Sequence, residues 1–151
     1  YPNPEASPVK LYLISGAPER GTLSLSKPKK QGKETLVDNY SFSGSSLAKA
    51  DHTNHRLIFV TPTLTEDVHI SGIPRVTIKL SSSKAAANLS VWMVSLPWKE
   101  GKKVKITENI INRGWADPQN YKSIRKSEPL KKGKFYEVSF DLMLDDQIIP
   151  K

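Results

Sequence analysis

The stretch FYEVSFDLML at 135–144 alternates apolar and polar residues: Tyr136, Val138, Phe140, Leu142 and Leu144 fall on one side, Glu137, Ser139 and Asp141 on the other. Successive side chains of a strand point to opposite faces, so this period of two predicts a strand with one buried and one wet face. PRVTIKL at 74–80 repeats the pattern, with Val76, Ile78 and Leu80 inward and Arg75, Thr77 and Lys79 outward. NLSVWMVSL at 88–96 is apolar on both faces, through Leu89, Val91 and Met93 against Trp92, Val94 and Leu96. That predicts a central strand covered on both sides, with Trp92 in the core.

Weaker strands are predicted at 9–14, 21–25, 57–60, 67–71, 103–107 and 109–113, each bounded by Gly, Pro, Asn or Ser clusters such as SGAPERG (15–21) and SSSKAAAN (81–88). Helix is confined to a turn or two at 45–51 and 116–123, the second opening on Asp117 as cap with Pro118 at the first helical position. Many short strands with such punctuation predict an all-β fold, an antiparallel β-sandwich of jelly-roll type with little helix. Residues 26–56 are an irregular excursion, long for a plain connection, which signals a packed element or contact with something outside the domain.

With 151 residues, 37% of them hydrophobic and 25% charged, the chain fits one soluble globular domain, 1–151, with one core. No apolar run approaches the ~18 residues of a membrane span, and the amino end lacks the pattern of a signal peptide. The absence of cysteine excludes disulfide scaffolds, thiol catalysis and cysteine-based zinc sites, and fits a reducing compartment, favouring the cytoplasm. A net charge of +8 raises the question of nucleic acid or an anionic membrane. Its lysines cluster as Lys27, Lys29, Lys30 and Lys33; Lys99, Lys102, Lys103 and Lys105; and Lys122, Lys126, Lys131, Lys132 and Lys134 with Arg125. Lysine dominates over arginine, and no aromatic alternates with these cations as stacking on single strands needs, so solvated loops are expected, with no nucleic-acid and no membrane partner.

A serine-hydrolase triad needs a nucleophile on an elbow such as G-x-S-x-G, and the nearest string, Ser41-Phe42-Ser43-Gly44-Ser45, lacks the first glycine. His52 and His55 with Asp51 in DHTNH lack a third ligand at a workable spacing and read as a surface loop. His69 reads as an outward strand residue, and Asp145-Asp146 as a charged turn rather than a calcium loop. No cofactor or metal is expected. Trp98 and Trp115, in turn sequences, are the candidate exposed aromatics, able to act as a stacking platform for sugars or to seal the ends of the sandwich.

With the strands placed, LIFVTPTLTEDVHISGIPRVTIKLSSS (57–83), with Thr61-Pro62, Leu64, Asp67 and Gly72, and then INRGW (111–115), resembles the carboxy-terminal jelly-roll domain of the Xaa-Pro dipeptidyl-peptidases. These are relatives of the cocaine esterase and glutaryl-acylase hydrolases. Residues 112–151 look like the enzymes of lactic-acid and related Gram-positive bacteria, and ETLVDNYSFSG (34–44) is similar to the stretch leading into that domain. The resemblance implies a parent serine exopeptidase that removes Xaa-Pro dipeptides from free amino termini with a Ser/Asp/His triad in an α/β-hydrolase domain. No position here matches that triad, so the chain is expected to be the non-catalytic domain, an excised carboxy-terminal fragment. Its implied partners are the α/β-hydrolase domain of the same polypeptide and, in a homodimeric parent, a second copy. Residues 34–50 carry few lysines beside Leu36, Val37, Tyr40, Phe42 and Leu47, which form the candidate docking surface. The alternative function is a free-standing carbohydrate-binding module that uses Trp98 and Trp115.

Overall fold

The computed structural model describes residues 3–151. Strands dominate it and one six-residue helix interrupts them, so the expected all-β class holds. The chain divides into two compact units, one of Asn3 with Ile70–Gln147 and one of Pro4–His69 with Ile148–Lys151.

Within Pro4–His69, β1 (Tyr12–Ile14) runs antiparallel to β2 (Gly21–Ser24), and β2 runs parallel to β3 (Phe59–Val60). The β1–β2 turn needs Gly16 at φ +116°, a conformation that side chains disfavour, and Glu19 N donates to Gly16 O at 3.1 Å to close it. Gly21 is buried, since a Cβ there would stand 2.6 Å from both the Ile14 carbonyl oxygen and the Phe59 ring. The 26–56 excursion holds α1 (Gly44–Lys49), whose N-cap Ser43 accepts from Ser46 N at 3.2 Å.

Within Ile70–Gln147, β5 (Arg75–Leu80) pairs antiparallel with β8 (Tyr136–Asp141) in the register Arg75 opposite Asp141 through Leu80 opposite Tyr136. The inner face sets Val76, Ile78 and Leu80 against Phe140, Val138 and Tyr136, with Val138 fully buried. The wet face is matched pair by pair: Arg75 with Asp141 at 2.6 Å, Thr77 Oγ1 with Ser139 Oγ at 2.8 Å, and Lys79 with Glu137 at 3.8 Å. β6 (Leu89–Val94) pairs antiparallel with β7 (Ile110–Ala116), with an irregularity at Met93/Val94. β4 (Val68–Gly72) pairs with β9 (Asp145–Ile149).

Several expectations are corrected. The strand predicted through residue 144 ends at Asp141, because Leu142 N donates to Pro74 O (2.8 Å) and Met143 N to Arg113 O (3.1 Å), so the chain swings towards β7. Leu142 is thereby buried, while Leu144, expected on the same inner face, is 60% exposed. Asp145-Asp146 opens β9 instead of forming a charged turn. KVKIT at 103–107 is not a strand: Lys105 N donates to Glu108 Oε1 and Glu108 N to Lys105 O, both at 3.0 Å, around a 3₁₀ turn at Ile106–Glu108. Residues 117–123 form turns rather than helix, held by Asn120, whose N donates to Asp117 O at 3.0 Å and whose Nδ2 donates to Asp117 Oδ2 at 2.6 Å. β6, expected to be central, is half-buried along both faces at most positions, yet β7 is its one ladder partner among the described residues.

Candidate functional site

The β6–β7 ribbon collects the tryptophans. Its register sets Trp92 opposite Arg113 and Ser90 opposite Trp115, and residues opposite one another in an antiparallel pair share a face. The Arg113 guanidinium carbon lies 5.3 Å from the centroid of the Trp115 ring, a cation–π contact. Trp98 stacks on Trp92 with centroids 6.5 Å apart and an interplanar angle of 21°. Trp92 is therefore half-buried by Trp98 on the wetter face of the ribbon, not in the core as its sequence context predicts.

The other face of β7 is buried and structural. Asn112 Oδ1 accepts from Arg113 N (2.7 Å) and Met143 N (3.0 Å), and Nδ2 donates to Met143 O (2.8 Å) and Asp145 Oδ2 (3.0 Å). One buried amide thus supplies the ladder bonds that β7 and residue 143 do not make fully through their backbones. Gly114 lies against Leu142, with no room for a Cβ. The loop carrying Trp98 is fixed by Asn109, whose Oδ1 accepts from Lys99 N at 2.6 Å and whose Nδ2 donates to Lys99 O at 2.9 Å. In Asn112-Arg113-Gly114-Trp115, the even positions are scaffold, and the odd positions, both exposed, are available to a ligand. A shallow concavity of about 250 Å³ beside Arg113 is lined by Ile110, Ile111, Asn112, Met143, Leu144 and Asp145.

In the other unit, Leu36, Val37, Tyr40 and Phe42 are all exposed, Tyr40 at 97%, whereas Leu47 is half-buried in α1. Phe42 stacks on His55 with centroids 4.9 Å apart, and His55 Nδ1 donates to the Val37 carbonyl at 2.7 Å, so the imidazole draws two of the predicted surface residues together. Ser43, the central serine of the string nearest to a nucleophile elbow, serves as the helix cap and lies 3.1 Å from Ser45 Oγ. His52 approaches Glu19 at 3.6 Å. Among the described residues, no three His, Cys, Asp or Glu side chains cluster to hold a metal ion, and no helix is long and apolar enough to cross a membrane. The three cationic groups are exposed; in the third, the hydrogen bond from Lys122 to Glu128 (2.7 Å) raises the lysine's pKa and lowers the glutamate's.

Sequence reasoning missed Arg56. Its guanidinium donates to the carbonyls of Ala17 (3.0 Å), Pro18 (2.9 Å), Glu19 (3.2 Å), Leu47 (3.1 Å) and Ala50, tying the β1–β2 turn to α1. No local motif announces it, since every partner is a backbone oxygen from another stretch.

No solved structure matches the chain. A protein of Rhodopirellula baltica named "Putative Xaa-Pro dipeptidyl-peptidase" is 56% identical over 151 residues, covering all of this chain and 24% of that protein. Relatives with the same name from Bacillus anthracis and Streptomyces avermitilis are 31% and 29% identical, over 98% and 87% of this chain and 24% and 25% of theirs. The chain thus spans about a quarter of the curated relatives it matches, and these come from Rhodopirellula, Bacillus and Streptomyces, not specifically from the lactic-acid and related Gram-positive bacteria whose enzymes the carboxy-terminal stretch resembles. The family described as the X-Pro dipeptidyl-peptidase C-terminal non-catalytic domain matches residues 1–151, and the chain belongs to it.

Proposed function

We propose that this chain is the non-catalytic carboxy-terminal domain of a serine exopeptidase that removes Xaa-Pro dipeptides from peptide amino termini. In this reading residues 1–151 act as one β-sandwich domain of jelly-roll type that stabilises an α/β-hydrolase domain of the same polypeptide and helps to shape access to its active site. The observation that carries the reading is the family match along the whole chain, coupled with relatives of which it covers only 24%, leaving ample length for a catalytic domain. The absence of cysteine supports a cytoplasmic parent, and the family resemblance extends the proposal to a homodimer.

Leu36, Val37, Tyr40 and Phe42, together with the half-buried Leu47, form the docking surface in this proposal. Apolar side chains exposed together, on a segment with few ammonium groups to desolvate, favour contact with another protein surface. The test is Tyr40→Asp in the whole protein and in this chain alone. At 97% exposure the substitution leaves the chain's own unfolding unchanged. In the whole protein it lowers the thermal midpoint by roughly 2–4 °C, as a loss of about 1 kcal/mol does for a large domain, while the triad chemistry persists. An unchanged midpoint in the whole protein overturns the docking assignment.

A further inference from the structure

We propose that the outer face of the β6–β7 ribbon binds proline-rich peptide in its extended, left-handed form, with Trp115 and Arg113 as the principal contacts. All three tryptophans of the chain meet there: Trp115 beside Arg113, Arg113 opposite Trp92, and Trp98 stacked on Trp92. Ladder geometry places diagonal neighbours such as Trp115 and Trp92 about 7–8 Å apart. Trp98, half-buried rather than exposed as expected, stacks on Trp92 with its ring centre 6.5 Å away and borders this pair. At ~3.1 Å per residue, a polyproline helix lays about two to three residues between Trp115 and Trp92.

Donor and acceptor chemistry selects this ligand over a sugar. Indole Nε1–H and the guanidinium's N–H groups donate and cannot accept. The Ser90 hydroxyl, opposite Trp115, is the one acceptor side chain among the four ribbon positions that carry the pair. A sugar presents hydroxyl donors that need acceptors, and these four positions offer one. A proline-rich segment is the complement: its proline nitrogens carry no hydrogen, its carbonyls point outward unpaired, and its rings stack on aromatic faces with little entropy left to lose. Asn112 and Gly114 on the buried face hold Arg113 and Trp115 in place by packing against Met143 and Leu142.

The inference deepens the reading above by naming a substrate-binding surface, and it rests on that reading for the claim that the bound segment belongs to substrate. The probe is an acetylated, proline-rich decapeptide, whose blocked amino terminus prevents exopeptidase cleavage, titrated into the whole protein by tryptophan fluorescence. Saturable binding is expected, weakened about tenfold by Trp115→Ala and at least threefold by Arg113→Gln, with the thermal midpoint held within ~2 °C. Arg113→Gln, at an exposed position, keeps the test open should Trp115→Ala fold poorly. The KM for a short Ala-Pro anilide stays unchanged in both variants, while the KM for a long proline-rich substrate with a free amino terminus rises. No binding, binding insensitive to both substitutions, or saturable binding of an oligosaccharide panel that Trp115→Ala abolishes overturns the proposal. A whole protein that binds the blocked peptide through Trp115 yet never releases Xaa-Pro overturns the exopeptidase reading and leaves the surface standing.

Discussion

Arg56 gathers carbonyls of the β1–β2 turn and of α1's last turn onto one guanidinium, a task for which five fixed N–H donors suit arginine and a single ammonium does not. Burial, and then the neighbouring Arg20, lower its pKa from the ordinary value, but the group stays charged at neutral pH. Arg56→Ala is expected to destabilise the chain by about 2–3 kcal/mol, with little rescue by lysine, as read by urea unfolding. Its role was illegible in the sequence because its partners lie up to 39 residues away and are backbone atoms, which any residue type supplies. The Arg75–Asp141 pair is the opposite case: two ends of alternating segments whose pairing follows once the strands are aligned. The hydrogen bond from Arg75, ahead of all other causes, holds the Asp141 carboxyl below the usual aspartate value of about 3.9. With the folded pKa depressed, the carboxylate's contribution is complete above that value and is lost as pH falls through the lower folded value. Wild-type and Asp141→Asn chains should therefore differ slightly in stability at pH 7 and converge in acid. The difference should stay small because both groups are solvent-exposed.

The strands themselves were legible wherever one register holds along the whole segment. β5 and β8 keep strict alternation because each residue of one meets its opposite in the other, and the buried face reads directly from the sequence. Alternation continues through Leu142 and Leu144, but there the backbone exchanges partners, and periodicity carries no information about which neighbour a strand pairs with. Gly114 makes that exchange possible. A Cβ would sit 2.6 Å from Leu142 Cδ2 and 2.9 Å from Leu142 Cα, and the second of these cannot swing aside. Gly114→Ala should cost about 1–3 kcal/mol, and Gly114→Val more, with faster hydrogen exchange at the Leu142 and Met143 amides before global unfolding. Unaltered exchange at those amides would show that β7 and residue 142 separate without cost. The tryptophan cluster was only half legible: Trp98 stands out by its turn context and Trp115 by following Arg113-Gly114, though it lies within β7, while Trp92's face depends on the register with β7, a long-range fact that its hydrophobic neighbours disguise.

For the whole molecule, few apolar side chains are taken fully out of water. Among the described residues the buried hydrophobics are Ala17, Leu130, Val138 and Leu142, while Tyr40, Ile124, Val9 and Leu25 are at least 72% exposed. Val138, fully buried, is the position where truncation to alanine should tell most, by about 2–3 kcal/mol. The chemistry is distributed to match a supporting domain: serines cap a helix, histidines stack or approach carboxylates, and the exposed aromatics and cations offer contact surfaces. The family was legible because its motifs are themselves scaffold, as Asn112 and Gly114 show, and scaffold constrains sequence tightly. The docking and binding roles are not written so plainly, since an exposed side chain looks alike whether water or a partner covers it. The most direct test is release of chromophore from an Ala-Pro anilide, measured for the purified chain and for the whole protein that contains it. The account predicts release by the whole protein and none by the chain at any concentration; turnover by the chain that survives removal of contaminating peptidases would contradict it.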